Sequence, residues 1–144
     1  MRSAERSADI GHPAEEVFAF LADIGNLPRW QSGVVRAEQT SPGPLAVGTT
    51  GTIERRLMGQ DVRADLLVTR LDPGRLLVLE TEASGLHVEA SIAVEPLETD
   101  RCRVTFGMEM DATSIFMRAL ETMVAQAAEH DIGASLDGLE RALA

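Results

Sequence analysis

The sequence predicts an α+β fold, in which a seven-stranded, curved antiparallel sheet and two short helices wrap around a long C-terminal helix. Three observations carry this prediction. Apolar and polar residues alternate with a period of two in several segments, most cleanly over 86–95 and 101–110. Proline–glycine and glycine turns separate those segments. Apolar residues then recur at helical spacing through 113–144.

The elements follow in order. Residues 3–10 alternate weakly and form a first strand. His12-Pro13 opens a helix, because proline suits a first turn and Glu15 and Glu16 complement the positive end of the helix dipole. Val17, Phe18, Phe20 and Leu21 supply its buried side, and residues 23–25 break it. Residues 26–31 form a second short helical turn carrying Trp30. Strands are expected at 34–40 and 49–57, with Met58-Gly59 as a hairpin tip. In the next strand, 61–71, Val62, Ala64, Leu66 and Val68 share one face. Asp72-Pro73-Gly74 is a strong turn signal. A fifth strand occupies 75–82. Leu86, Val88, Ala90, Ile92 and Val94 form the inner face of the sixth. Cys102, Val104, Phe106, Met108 and Met110 do the same for the seventh. Clean alternation implies a sheet with one wet and one covered face.

The cover is the segment 113–144. Phe116, Leu120, Met123, Val124 and Ala127 make one stripe, and Ile132, Leu136, Leu139 and Leu143 a second, rotated stripe. One continuous helix with a bend near Gly133 is expected.

Length and composition set bounds. At 144 residues the chain fits one domain, 1–144, able to bury a core. The net charge of −10 argues against nucleic acid or an anionic membrane surface as a partner. No apolar run reaches the length of a membrane span and no signal-peptide core follows Met1, so a soluble cytoplasmic protein is the expectation. All 13 basic residues are arginine and there is no tyrosine. Side-chain Schiff-base chemistry and phenolic acid catalysis are thereby excluded. Cys102 is alone, and His12, His87 and His130 stand far apart. No disulfide, metal site or cofactor is expected.

Because a meander reverses at each turn, the connections near Met58-Gly59, Ser84-Gly85 and 111–114 fall at one end of the sheet. The strand entry after Trp30 falls there too. Trp30, Met58, Thr113 and Phe116 are therefore candidates for the rim of an opening.

This order of elements resembles the helix-grip fold of the birch-pollen-allergen and START-related superfamily. Within it, the chain is similar to the SRPBCC, or START-like, branch of polyketide cyclase/dehydrase type. The matching residues are Ile10, Pro13, Val17, Phe18, Phe20, Leu21 and Asp23 at their spacing, then Trp30. Val47-Gly48-Thr49, Val68 with Leu71 and Pro73, and Leu139-Glu140 fit as well. The resemblance spans essentially the whole chain. It implies a largely apolar cavity between the sheet and the long helix, where known members hold lipids, sterols, polyketides or plant hormones. Known enzymes of the superfamily often use a cavity tyrosine or lysine, and this chain has neither.

On that fold the expected ligand-binding residues are Trp30, Arg55, Leu66, Val88, Phe106, Met108, Phe116, Leu120, Met123 and Val124. The methionines Met108, Met110, Met117 and Met123 serve either as an adaptable wall or as core filler. Trp30 either caps the mouth or anchors the short helices. Arg55 lies between Ile53 and Leu57 on one strand face and points inward unless a bulge turns it out. Inside, its guanidinium needs a partner, either a ligand carboxylate or a ligand carbonyl. His130 and Asp131 are adjacent, about 100° apart on a helix, and make a poor acid–base dyad. The fifth strand is apolar on both faces, which leaves a homodimer contact open.

Three functions compete. One is a non-catalytic binding or carrier protein for a small hydrophobic molecule such as a lipid, isoprenoid or polyketide. The alternative is a polyketide cyclase/dehydratase-like enzyme, a lyase or isomerase, using the same cavity with Arg55 and an acid or His130. The third is a protein-interaction module. The missing tyrosine and lysine weigh toward the first.

Overall fold

The alternating segments pair into one seven-stranded sheet, antiparallel throughout. The structure is a computed structural model. It describes residues 2–57, 59–83, 85–112 and 114–144, less the side chains of Arg2, Leu57, Ala83, Phe116, Met117 and Glu121. The rim candidates Met58 and Thr113, and the side chain of Phe116, lie outside the described residues.

The strands are β1 (Arg2–Ile10), β2 (Val34–Gln39), β3 (Thr50–Leu57), β4 (Gln60–Asp72), β5 (Leu76–Ala83), β6 (Leu86–Glu98) and β7 (Arg101–Ala112). The meander β2 to β7 places consecutive strands side by side, and β1 closes against β7 to give the order β1-β7-β6-β5-β4-β3-β2. Register shifts interrupt the ladders at Val34/Arg36, Val68/Arg70 and Pro96/Glu98. Each adds a residue to one strand and bends it, so the sheet curls. Between β3 and β4 the register runs unbroken from Thr50 to Leu57. Ile53 and Arg55 therefore share the inner face.

Helix α1 (Ala14–Leu21) follows Pro13, and Ala14, Val17, Phe18 and Leu21 are its buried residues. Burying Val17, Phe18 and Leu21 stabilises the fold by about 1.5–3 kcal/mol each. Phe20, expected on that side, is partly exposed, with Arg29 stacked over its ring at 5.0 Å. The Asp23 carboxylate accepts a hydrogen bond from the Gly25 N–H at 3.0 Å. That bond starts a 3-10 turn at Ile24–Asn26, which leads into α2 (Leu27–Trp30).

The C-terminal segment departs from the single-helix expectation. It comprises α3 (Ile115–Ala119) and α4 (Glu121–Leu143), broken at Leu120. Helix α4 runs without a break through Gly133. Gly133 faces β1, where a Cβ would lie 3.2 Å from a guanidinium nitrogen of Arg6. The inner stripe of α4 is Val124, Ala128, Ile132, Ser135, Leu136 and Leu139, all buried. Its spacing keeps one face of a 3.6-residue helix toward the sheet.

The main core fills the space where α1, α2 and the C-terminal half of α4 meet β1 and β7. Trp30 and Phe106 pack edge to face with ring centroids 5.5 Å apart and an interplanar angle of 66°. Gly138 admits this close approach, since a Cβ there would lie 2.5 Å from the Trp30 carbonyl oxygen.

Candidate functional site

Toward its N-terminus α4 presents smaller residues to the sheet, and an elongated cavity opens beneath it. The walls are Ile53 and Arg55 from β3, Val62 and Ala64 from β4, and Thr81 from β5. Leu86 and Val88 from β6 and Met108 and Met110 from β7 continue them. Val124, Ala127, Ala128 and Asp131 form the α4 side. The open space is narrow, about 70 Å³.

The cavity lies at the end of the sheet where β3 passes into β4 and β5 into β6, as the strand directions predict. Ten of its thirteen lining residues are aliphatic or methionine. The exceptions are Arg55, Asp131 and Thr81, and the first two share one end. Gly33 lies between those two. A Cβ on it would be 3.8 Å from Arg55 Cγ and 4.0 Å from Asp131 Oδ2. Gly33 has φ of 84°, a left-handed conformation natural to glycine, and this lets the strand entry turn tightly past the pair. The same loop is pinned to α4: the Ser32 N–H donates to Ser135 Oγ at 2.8 Å, and Ser32 Oγ donates to Asp131 Oδ1 at 3.5 Å.

Removal from water dominates the electrostatics. Burial lowers the pKa of the Arg55 guanidinium, and the Asp131 charge opposes that shift. Burial raises the Asp131 carboxyl above its ordinary value, while Arg55, His130 and the Ser32 hydroxyl pull it back. The guanidinium makes no hydrogen bond or direct ion pair with any described residue. It stands as a half-buried cation at the wall of a mainly apolar space.

Of the expected ligand-binding residues, Arg55, Val88, Met108 and Val124 line the cavity. Trp30, Leu66 and Phe106 do not. They belong to the solid core, where Trp30, 2% exposed, acts as the anchor of the short helices. Leu120, at the helix break, packs against the core without lining the cavity. Met123 is 59% exposed and turned to solvent. The restart of the helix at Glu121 puts Val124 and Ala128 on the inner face, and Met123 sits about 100° from Val124. His130 is exposed for the same reason, while its neighbour Asp131 faces the cavity. The outer face of β5 is less open than its composition suggests, because Val78 is only 7% exposed within the monomer.

Asp131 is the residue that sequence reasoning missed. The signal was its distance of seven from Val124 and three from Ala128, which places it on their face. Among the described residues no cluster of three metal-ligating side chains occurs, and no helix is long and apolar enough to cross a membrane. The indole N–H of Trp30 is buried without a hydrogen-bond partner among the described residues.

A family model described as polyketide cyclase / dehydrase and lipid transport matches residues 1–144. No curated protein sequence matches the chain. Among solved structures, an aromatase/cyclase from Streptomyces sp. R1128 superposes with a TM-score of 0.76 at 17% identity, covering 99% of this chain and 96% of that one. A START superfamily protein from Mycobacterium smegmatis gives a TM-score of 0.76 at 14% identity, covering 98% and 93%. Norcoclaurine synthase from Thalictrum flavum gives 0.70 at 15%, covering 97% and 92%. At these identities the likeness establishes a common fold, the helix-grip arrangement of a START-like domain.

Proposed function

Because the chain belongs to the polyketide cyclase / dehydrase and lipid transport family, we propose that it holds a small, mainly apolar molecule in the cavity between the sheet and α4, as a binding or carrier protein. The cavity lining carries this reading. Aliphatic and methionine side chains surround the space, and burying an apolar ligand against them gains roughly 25 cal/mol per Å² removed from water. Met108 and Met110, with three rotatable bonds each, let that wall adapt to different shapes. The chain offers no lysine or tyrosine for covalent or phenolic catalysis. Native mass spectrometry of freshly purified protein tests the reading. A co-purifying lipophile, released on denaturation, is expected. Ligand-free protein that also fails to take up added lipophiles contradicts it.

One observation favours a second reading, a cyclase/dehydratase activity in the same cavity. Arg55 and Asp131 place a cation and a carboxyl of raised pKa at one end. Arg55 polarises a ligand carbonyl. Asp131 removes a proton from the adjacent carbon and delivers it to the departing hydroxyl, which leaves as water. His130 takes no part, being exposed. Turnover of a β-hydroxy ketone, abolished by Asp131→Asn with binding retained, distinguishes this reading from simple carriage.

A further inference from the structure

The apolar walls say little about what the ligand carries at its end, but the Arg55 corner does. We propose that the ligand is an amphipathic monoanion, its carboxylate or equivalent oxygen pair seated on the Arg55 guanidinium and its apolar body lying along Val88, Met110 and Val124. The inference rests on the carrier reading above and gives it a ligand class.

Three observations support it. First, the guanidinium lines the cavity without a hydrogen bond or ion pair to any described residue. A planar fork of five N–H donors, half-buried at the cavity wall and unmatched by any described residue, is an incomplete site. A carboxylate completes it with two parallel charge-assisted hydrogen bonds. Second, the position is built. Arg55 sits in the unbroken β3–β4 register, and the neighbouring loop is fixed by the Ser32–Ser135 hydrogen bond and by the left-handed Gly33. Third, the corner is separated in charge. Asp131 is close enough to act on Arg55 through space yet forms no direct ion pair, so the donors stay available. A neutral alcohol would satisfy only one or two of them.

Calorimetric titration of the full-length protein at pH 7 with octanoate and with 1-octanol tests the proposal. The two share a chain and differ in the headgroup. Octanoate is expected to bind roughly tenfold to a hundredfold more tightly, the range for charge-assisted hydrogen bonds in a desolvated site. Arg55→Met should erase that preference and leave octanol binding in place. The double variant Arg55→Met/Asp131→Asn gives the same readout without leaving Asp131 buried beside no cation. The wild-type comparison stands on its own if the variant does not fold. Equal affinities, or tighter binding of octanol, overturn the headgroup assignment while sparing the apolar carrier reading. Failure of both ligands to bind overturns the carrier reading and this inference with it.

Discussion

Gly138 of α4 lies against the backbone of Trp30 so closely that a Cβ added there would sit 2.5 Å from the Trp30 carbonyl oxygen. The atom it would meet is backbone, which cannot rotate away. Gly138→Ala gains about 1 kcal/mol of helix propensity and loses more to overpacking, for a net destabilisation of about 1–3 kcal/mol. Gly133→Ala on the same helix is its control. There the added Cβ meets only the end of the Arg6 side chain at 3.2 Å. That variant should be neutral or more stable by up to about 1 kcal/mol. Urea unfolding of both variants checks the contrast, and equal effects would contradict it.

Ser135 is fully buried, and its hydroxyl accepts the Ser32 N–H. Ser135→Ala leaves that donor without its partner, at a cost of about 1–3 kcal/mol. It also frees the loop carrying Gly33 past Arg55 and Asp131. Amide hydrogen exchange at Ser32 and Gly33 should quicken, with little change in the β6–β7 ladder. Uniform quickening would mean that the bond holds the whole fold rather than this corner.

Two carboxylates shift in opposite directions and so act in different pH windows. The Asp131 pKa is raised by burial above its ordinary value of 3.8. Its contribution is fully present below that value and is lost as pH rises through the folded pKa. The Asp9 pKa is lowered, chiefly by the hydrogen bond from Arg103. Its contribution is present above the ordinary value and is lost as pH falls through the folded pKa. Unfolding free energy measured from pH 3 to 7 should therefore show a falling limb above pH 4 that Asp131→Asn removes. Slopes are compared, because the variant also withdraws a charge from Arg55. A slope unchanged by the substitution would show that Asp131 titrates normally.

Cys102 is fully buried, and burial is the first cause that raises its thiol pKa. A thiol reagent should modify it only through opening of the fold. Labelling should be slow in buffer and complete in denaturant. Rapid native labelling would contradict its burial in β7, between β1 and β6.

Much of this fold is legible because β-structure writes itself into sequence with a period of two. Met108 and Val88 are placed inward by parity alone. Arg55 follows from the same parity, since the β3–β4 ladder is unbroken and the bulge beside Arg55 places its extra residue in β2 rather than β3. The C-terminal segment is harder to read. Its break falls at Leu120, where no proline or glycine marks it, so the helical phase counted from 113 is carried wrongly into α4. That phase turns Met123 inward and brings His130 near the cavity, whereas both side chains are exposed. Asp131, the acid that does face the cavity, was hidden because Ala127 and Ala128 give the inner face little hydrophobic signal. Trp30 illustrates a different limit. A large aromatic residue after a short helix serves a rim or an anchor equally well in sequence, and only the edge-on packing against Phe106 decides for the anchor.

The central claim is that the space beneath α4 takes up an apolar molecule. An NMR titration with 1-octanol, followed on the methyl groups of Val62, Val88, Met108, Met110 and Val124, tests it most directly. Saturable shifts confined to those methyls, and abolished by the cavity-filling Val88→Phe variant, are the expected result. Shifts absent from the cavity methyls, or unaffected by Val88→Phe, would contradict it.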